Sequence, residues 1–337
     1  SRKLQELMTD RLNKGQQTIL FLNRRGYAGF VSCRSCGEVM KCPHCDVSLS
    51  EHKGGRLICH YCGYTQPMPK LCPKCGSKYI LGFKAGTQQI EEKLKELYPG
   101  VRTLRMDADT TRTKDSYEKI LSSFANGEAD VLIGTQMIVK GHDFPKVTLV
   151  GILAADLSLN ASDYRAGERT FQLLTQAVGR AGRGALPGEA VIQPYQPDHY
   201  AITCAAAQDY ESFYQEEILY RELSGYPPVA HMLAVQIYGK EEENVKQLAL
   251  RLTDVVKSNM DFLSGKQKEQ SNKKIQVLGP APANISKIND IYRYVFYVKH
   301  AEYDVLVEVK DRLEETLRQW QPRQMSIQFD FDPVSVL

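Results

Sequence analysis

Four CxxC pairs, all between residues 33 and 75, constrain the fold of this chain more than any other feature of its sequence. Eight of the nine cysteines lie in these pairs, which are Cys33/Cys36, Cys42/Cys45, Cys59/Cys62 and Cys72/Cys75. This spacing is typical of metal ligation, and eight thiolates fill two tetrahedral four-sulfur sites. Zinc is the metal that closed four-thiolate ribbons usually hold, although iron accepts the same ligands. A redox dithiol is the alternative, and four tandem pairs argue against it.

The pairs allow a sequential, an interleaved or a nested grouping, and the segment between the second and third pairs favours the nested one. Residues 47–49 alternate apolar with polar side chains, Gly54-Gly55 suits a two-residue turn, and residues 56–58 run back. Such a hairpin brings its two flanking pairs together. The expected groups are an outer site of Cys33, Cys36, Cys72 and Cys75 and an inner site of Cys42, Cys45, Cys59 and Cys62. His44 and His60 are alternative ligands, disfavoured because the thiolate set is already complete.

Positive charge is concentrated around the cysteines. Residues 24–84 hold ten basic and three acidic residues, although the whole chain has a net charge of only +3. Aromatic side chains are interleaved with this charge, at Tyr27, Phe30, Tyr61 and Tyr64. The combination suits contact with phosphates and stacking on bases. Packing of the rings beneath a ribbon with little core is the alternative.

Apolar runs are short throughout the sequence. None approaches the length of a membrane span, and no secretory signal is recognised at the start. We therefore expect a cytoplasmic protein with no membrane association; a monomer is a separate expectation.

Apolar strands alternate with helices on both sides of the cysteines, which is typical of a parallel sheet covered by helices on both faces. The cysteines separate the strand predicted at residues 17–22 from the helix predicted at 86–97, so they form an insertion into an α/β domain. We expect Thr87 to cap that helix, with Leu94 and Leu97 facing inward.

The last third of the chain has a different order of elements. After about residue 205 it reads strand, helix, strand, strand, helix, strand, which is the ferredoxin-like α+β order. Three domains are therefore predicted. They are an α/β domain of residues 1–25 and 84–204, an inserted two-zinc ribbon-type module of residues 26–83, and a ferredoxin-like domain of residues 205–337.

The stretch between residues 131 and 184 is the most specific for function. It reads VLIGTQMIVKGHDFPKVTLV and, further on, QAVGRAGRG. A strand that ends at Gly-Thr can present backbone N–H groups to phosphate. Arg180 and Arg183 are expected near one face of a helix, where two planar guanidinium groups suit a triphosphate. The alternative is a helix C-terminus whose solvated arginines interact only with the helix dipole.

This stretch resembles motifs V and VI of the second RecA-like lobe of superfamily-two helicases. Together with CPHC, LICHYCGY, LAADLSLNASDYRAGERTFQLL and YRELSGYPPVAHM, it resembles the PriA family of replication-restart helicases, primosomal protein N′, over essentially the whole chain. Helicases of this class carry a GxxxxGK[ST] loop and an acidic metal-holding motif, and neither GKS, GKT nor an Asp-Glu pair occurs here. The resemblance therefore implies the C-terminal half of such a helicase, without ATPase activity by itself.

The resemblance also implies roles for individual residues. Those that would face ATP across the cleft between the lobes, with the arginines as finger and γ-phosphate sensor, are Gln176, Arg180 and Arg183. Those that would lie near the nucleotide ribose or the coupling elements are Gly141 and Asp143. Thr135 would lie near the DNA backbone.

Cofactors and partners follow from the same resemblance. It implies two zinc ions, ATP with Mg²⁺, and 3′→5′ unwinding at stalled forks. It implies as partners fork and single-stranded DNA, the acidic tail of the single-strand-binding protein, primosome proteins and the replicative helicase. Two other hypotheses remain open at this point: a nucleic-acid-binding zinc module without a motor role, and a protein-docking scaffold.

One hairpin of the C-terminal domain is a further candidate surface for DNA or an acidic peptide. Its candidate residues are Lys287, Tyr292, Arg293, Tyr294, Tyr297 and Lys299. Tyr292, Tyr294 and Phe296 share one face of the strand. One face must belong to the core, and alternation alone does not decide which.

Overall fold

The computed structural model describes residues 1–23, 31–33, 35–52, 55–59, 61–82, 86–107, 110–111, 115–139, 143–160, 163–258 and 274–334. Contacts divide the chain into two compact units. The first unit comprises Ser1–Gly29 and Lys84–Glu217, and the second comprises Phe30–Phe83 and Ile218–Leu337. The cysteine segment is therefore inserted into the sequence of the first unit but folds with the C-terminal region. The division into three domains remains a prediction.

The helices of the described residues are α1 (Arg2–Asn13), α2 (Thr87–Leu97), α3 (Ser116–Ala125), α4 (Ala166–Val178), α5 (Tyr200–Ala207), α6 (Tyr210–Ser224), α7 (Glu242–Ser258) and α8 (Tyr303–Trp320). The strands are β1 (Gln17–Leu22), β2 (Val31–Cys33), β3 (Ser50–His52), β4 (Arg56–Ile58), β5 (Thr65–Pro67), β6 (Ile80–Gly82), β7 (Thr103–Met106), β8 (Val131–Gly134), β9 (Val147–Leu153), β10 (Glu189–Gln193), β11 (His231–Gly239), β12 (Gln276–Ile288), β13 (Ile291–His300) and β14 (Met325–Phe331). Among the described residues no helix is both long and apolar enough to cross a bilayer.

The first unit is built on a five-stranded parallel sheet in the order β10-β9-β1-β8-β7. Successive residues of a strand point to opposite faces, so each face receives alternate apolar side chains. Ile19 and Phe21 join one core with α3, α4 and α5. Leu20 joins the other core with α1 and α2. The predicted α/β architecture, with helices on both faces, is confirmed.

The first unit continues beyond residue 204. Ala205 and Phe213 belong to the same hydrophobic core as the sheet, together with Ala201 and Ile202. Phe213 stacks on Phe171 with ring centroids 4.1 Å apart. These contacts hold α5 and the first part of α6 in the unit, which extends to Glu217.

The C-terminal part of the second unit has the predicted ferredoxin-like order. Its antiparallel sheet runs β12-β13-β11-β14, and α7 and α8 supply the apolar side chains that cover one face. Phe296 and Leu306 are fully buried between the sheet and these helices. The only tryptophan of the chain, Trp320, packs at the edge of this core, and the Arg251 guanidinium lies 3.9 Å from the centre of its ring.

The cysteine segment forms two small sheets. Strands β3, β4 and β5 are antiparallel, and β3 and β4 form the hairpin that the sequence predicts. Gly55 in its turn has a φ of +67°, and the neighbouring Gly54 lies outside the described residues. Strands β2 and β6 pair Val31 with Gly82, so the two ends of the insertion run side by side.

Two details of α2 differ from the sequence prediction. Thr87 is the first helical residue rather than the cap, which is Gly86, and its hydroxyl donates to Asp107 Oδ2 at 2.5 Å. Leu97 is 43% exposed, whereas Leu94 is buried as expected. The Thr87 prediction was wrong because a carboxylate at the end of β7 binds the hydroxyl that a cap would direct to the helix backbone.

Candidate functional site

The eight paired cysteines form two groups of four thiols. One group contains Cys33, Cys36, Cys72 and Cys75, and the other contains Cys42, Cys45, Cys59 and Cys62. Within each group all the sulfur atoms lie within 4.8 Å of one another. These are the groups of the nested arrangement. His44, an alternative ligand by sequence, instead lies with Nδ1 2.7 Å from Asp290 Oδ2, and His60 is outside the described residues.

The sulfur spacing fits a tetrahedral metal site. Sulfur atoms lie 3.6 Å apart in the Cys33/Cys75, Cys36/Cys72 and Cys42/Cys62 pairs. A disulfide requires about 2.05 Å. A tetrahedron with Zn–S bonds of about 2.3 Å has edges of about 3.8 Å. The two groups therefore fit two four-thiolate zinc sites, one per group.

The thiol pKa values show why the groups need a cation. Burial acts to raise the pKa of Cys33, but N–H groups of Cys36 and Ser35 and the neighbouring thiols lower it to about 6. At Cys36 the Glu38 N–H group acts to lower the pKa, but burial and the neighbouring thiols raise it to about 12. Ionisation of one thiol thus opposes ionisation of the next. A divalent cation removes this repulsion and allows four thiolates to coexist.

In the inner group, which contains Cys42, Cys45, Cys59 and Cys62, burial and neighbouring thiols also shift the thiol pKa values, and one sulfur receives a hydrogen bond from a distant residue. Burial raises the pKa of Cys45 to about 12, opposed by a hydrogen bond from the backbone N–H of Asn289. This donor belongs to the C-terminal part of the same unit. Sequence reasoning missed it, because nothing in the sequence links positions 45 and 289.

The two candidate arginines lie in a glycine-rich turn and not on a helix face. Helix α4 ends at Val178, one residue before Gly179, so the helical placement predicted for Arg180 and Arg183 was wrong. A methyl group on Gly182 would lie 2.4 Å from the Gly188 nitrogen, and one on Gly184 would lie 2.3 Å from the Pro145 carbonyl oxygen. The turn, here called the arginine loop (residues 179–184), thus packs backbone against backbone.

Asp143 joins both arginines into one cluster. Arg183 Nη1 donates to Asp143 Oδ1, which also lies 3.7 Å from Arg180 Nη1. Arg183 Nε donates to the Gly179 carbonyl oxygen at 2.8 Å. Burial, together with the charge of Arg183, lowers the pKa of Arg180, although a guanidinium stays charged. Two adjacent cations, one of them 12% exposed, form a site suited to an anion.

Thr135 lies at the other edge of the sheet. The Gly182 N–H donates to the carbonyl oxygen of Val147, the first residue of β9, which places the arginine loop at the amino edge. Thr135 directly follows β8, at the carboxyl edge. Gln176 is exposed on the last turn of α4, and Gly141 lies outside the described residues. The structure therefore brings together Arg180, Arg183 and Asp143 and separates Thr135 from them.

Several candidates on the C-terminal hairpin are occupied by contacts within the second unit. Tyr294 and Phe296 belong to the core. Lys299 is 5% exposed; burial lowers its pKa, and its Nζ donates to the Ser224 carbonyl oxygen. Lys287 Nζ donates to the Pro43 carbonyl oxygen in the cysteine segment. Lys299 is therefore a packing residue, and Lys287 faces the cysteine segment.

Three family models match the chain. They are the Primosomal protein N C-terminal domain at residues 222–334, the PriA DNA helicase Cys-rich region domain at residues 42–67, and the Helicase conserved C-terminal domain at residues 71–185. The chain is 42% identical over 337 residues to the replication restart protein PriA of Bacillus subtilis, a match that covers 99% of this chain. The chain belongs to the PriA family.

Two further relatives match this chain over nearly its whole length. The replication restart protein PriA of Synechocystis is 40% identical over 341 residues, covering 100% of this chain and 39% of the relative. The replication restart protein PriA of Chlamydia pneumoniae is 41% identical over 331 residues, a match that covers 97% of this chain and 42% of the relative. The Bacillus subtilis match covers 40% of that relative, so the chain spans about two fifths of the length of these relatives. The helicase match falls mostly in the first unit, whereas the Cys-rich match lies in the segment that is inserted into the sequence of that unit and folds with the second unit.

Replacing Cys42 tests whether the thiols form two separate four-sulfur metal sites. The wild-type chain is expected to hold two zinc ions, and Cys42→Ser only one, because three thiolates and a hydroxyl no longer provide a four-sulfur set. Metal analysis with thiol titration measures both. Cys204→Ser is the matched control, because Cys204 lies outside both groups. Two zinc ions in Cys42→Ser, or fewer than two in Cys204→Ser, would contradict the assignment of two four-thiolate sites.

Adding one methyl group tests the arginine loop. Gly184→Ala is expected to cost about 1–3 kcal/mol of unfolding free energy, because its Cβ meets a backbone oxygen that cannot move aside. Gly86→Ala is the control, since a Cβ there meets nothing within 4 Å, and a weaker N-cap costs at most about 1 kcal/mol. Urea unfolding followed by far-UV circular dichroism compares the two. Equal losses would mean that the loop tolerates a side chain.

Proposed function

We propose that this chain is the C-terminal half of an ATP-dependent 3′→5′ DNA helicase that recognises stalled or repaired replication forks and restarts replication by assembling the primosome. The observation that carries the proposal is the Arg180–Arg183–Asp143 cluster, held by a backbone-packed loop in a lobe of the helicase family. A solvated helix terminus would leave the two arginines on separate, flexible side chains. Here a single carboxylate pairs with both.

The arginines supply the positive charge for phosphoryl transfer. Charge develops on the transferred phosphoryl group, and guanidinium forks stabilise it bidentately. Asp143 holds both forks in place before the nucleotide arrives, and phosphate oxygens compete with its carboxylate when ATP binds. Gln176 faces the same nucleotide from the end of α4. The β-phosphate and Mg²⁺ are held by a preceding lobe that carries the phosphate loop.

The opposite edge of the sheet serves DNA. Thr135 contacts the DNA backbone, and the distance across the sheet keeps the DNA and nucleotide sites apart. The zinc module binds DNA and primosome partners, while the acidic tail of the single-strand-binding protein and the replicative helicase are further partners of the intact protein. The eight thiolates hold two zinc ions, which shape the module and take no part in the reaction.

A second candidate is a nucleic-acid-binding zinc module without a motor role. The observation that favours it is the exposure of aromatic rings among basic residues of the module. Tyr61 is 55% exposed and Tyr79 is 71% exposed, and Lys78 precedes Tyr79. Exposed rings beside cations suit stacking on single-stranded bases. This role also fits within the first proposal, so the two differ only in whether the arginine cluster turns over ATP.

Adding the preceding lobe separates these candidates. The isolated chain is expected to show no DNA-stimulated ATP hydrolysis, because its sequence has no phosphate loop to hold the β-phosphate and Mg²⁺. Extending the chain to the full length of its relatives is expected to restore turnover. A coupled ATPase assay with and without forked DNA measures both. Turnover by the isolated chain would contradict the need for a preceding lobe, and no turnover in the extended chain would refute the motor role.

The Arg183→Lys variant of the full-length protein tests the role of the cluster. The planar fork of arginine is not reproduced by an ammonium group, so kcat is expected to fall by about 10³–10⁵-fold. Fork-DNA affinity without nucleotide should stay near wild type. Arg318→Lys is the control, because Arg318 is 80% exposed on α8.

A defect in DNA binding instead of ATP turnover would assign these arginines to DNA contact. Loss of one phosphate contact to DNA lowers affinity and reduces the salt dependence of binding by about one unit of slope. Near-normal kcat in Arg183→Lys, or a defect confined to DNA affinity and its salt slope, would place Arg183 on DNA and remove the nucleotide role.

A further inference from the structure

The tip of the hairpin between β12 and β13 contacts the inner thiol group directly. The backbone N–H of Asn289 donates to Cys45 Sγ at 3.2 Å. The next residue, Asp290, donates its N–H to the His44 carbonyl oxygen at 2.9 Å. In the opposite direction, the Asp46 N–H donates to the Lys287 carbonyl oxygen at 2.9 Å. Two backbone–backbone hydrogen bonds and one from a backbone N–H to a sulfur thus join segments more than 240 positions apart in the sequence.

Side chains extend the same contact. Ser286 Oγ donates to Asp46 Oδ2 at 2.9 Å. Lys287 Nζ donates to the Pro43 carbonyl oxygen at 2.9 Å. Ile288 packs against the hydrophobic cluster that contains the buried cysteines. Together with the His44–Asp290 pair, these bonds surround the loop from Cys42 to Cys45.

The turn conformation makes the two N–H groups available. Ile288 pairs with Ile291, and the two residues between them have φ values of +51° and +59°. Positive φ at both central positions defines a type I′ turn, which matches the twist of a hairpin and favours Asn and Asp. The N–H groups of the two central residues take no part in the strand ladder. They are therefore free to bond to sulfur and to a carbonyl oxygen of the inner group.

We propose that this hairpin tip completes the inner zinc site, with the Asn289 N–H as a positioning donor to the zinc-bound sulfur of Cys45. A hydrogen bond to a thiolate disperses its charge and fixes its direction, and removing such an outer partner typically costs 10–100-fold in metal affinity. The inference rests on the zinc assignment and is independent of the ATPase role.

The outer group offers a control within the same molecule. The backbone N–H groups that bond to its sulfurs belong to Ser35, Cys36, Glu38 and Ser77, which all lie in the cysteine segment itself. The proposal therefore predicts an asymmetry. A change at the hairpin tip weakens the inner zinc site and leaves the outer one unaltered. Conversely, removal of the inner zinc loosens the hairpin tip.

Cadmium substitution tests the bond in the unmodified chain. The full chain is labelled with ¹⁵N and loaded with two ¹¹³Cd²⁺ ions, and ¹H–¹¹³Cd correlation spectra are recorded. The expected result is a correlation between one cadmium ion and the Asn289 amide proton, transmitted through the sulfur hydrogen bond. A spectrum in which both ions are bound and the Asn289 proton correlates with neither overturns the proposal. Failure of the inner group to bind a metal overturns the zinc assignment itself.

Zinc release measures the consequence. Asn289→Pro removes the N–H and fixes φ near −65°, which is incompatible with the turn. Asn289→Gly is the matched control, because glycine keeps the N–H and accepts positive φ. With a chromogenic chelator in excess, one of the two zinc ions should leave Asn289→Pro about 10–100-fold faster than Asn289→Gly. The other should leave both variants at the same rate.

Trp320 fluorescence during thermal unfolding checks that the C-terminal core is intact in both variants, because Trp320 packs against that core. Equal release of both ions from the two variants, or equal acceleration of both ions in Asn289→Pro, overturns the proposal. The cadmium measurement decides the question if the proline variant does not fold.

Discussion

Repulsion among closely spaced sulfur atoms is the interaction on which the cysteine segment depends. With sulfurs as close as 3.6 Å, ionisation of one thiol opposes ionisation of the next, so the pKa of Cys33 is lowered to about 6 and that of Cys36 is raised to about 12. The buried core of the cysteine segment contains ten residues, and five of them are cysteines. Metal–sulfur bonds therefore replace most of the hydrophobic packing that a segment of this size lacks. Two divalent cations would add metal–sulfur bonds to the small apolar cluster of this segment.

The same segment depends on contacts that are remote in sequence. Its two ends pair as β2 and β6, so the insertion leaves and re-enters the host sequence at neighbouring points. The loop that carries Cys42 and Cys45 is covered by residues 286–290 of the C-terminal sheet. The zinc module is therefore an insertion by sequence and part of the C-terminal unit by contact. At the inner site the Cys45 sulfur accepts an N–H group from outside the module, whereas Cys42 and Cys59 accept N–H groups from within it.

The periodicity of apolar residues and the positions of turn residues predicted most of the architecture, because both depend on residues that are close in sequence. The helices on both faces of the parallel sheet, the hairpin between the inner cysteine pairs and the ferredoxin-like order all follow from such patterns. The failures have non-local causes. The Thr87 hydroxyl binds Asp107, twenty residues away. Lys299 is covered by Ser224 and by the ring of Tyr226, whose centre lies 4.0 Å from its Nζ. Neither the Asn289–Cys45 bond nor the Asp143–Arg183 pair has a periodic signature, so sequence analysis identified Cys45, Asp143 and Arg183 but neither contact, and it missed Asn289.

A single segment connects the two edges of the parallel sheet. It leaves the carboxyl edge at Thr135 and reaches the amino edge at Val147, and Asp143 lies near its end. Its described parts are fixed at two points, since Ile138 and Phe144 are both buried in the same hydrophobic core, where Phe144 packs edge-on against Phe124 with ring centroids 4.9 Å apart. The carboxylate that aligns the arginines and the hydroxyl at the opposite edge are thus positioned by one rigid core. A close-packed interior transmits displacement instead of absorbing it. The sheet core therefore fixes the two described ends of this segment, one beside Thr135 and the other beside Asp143.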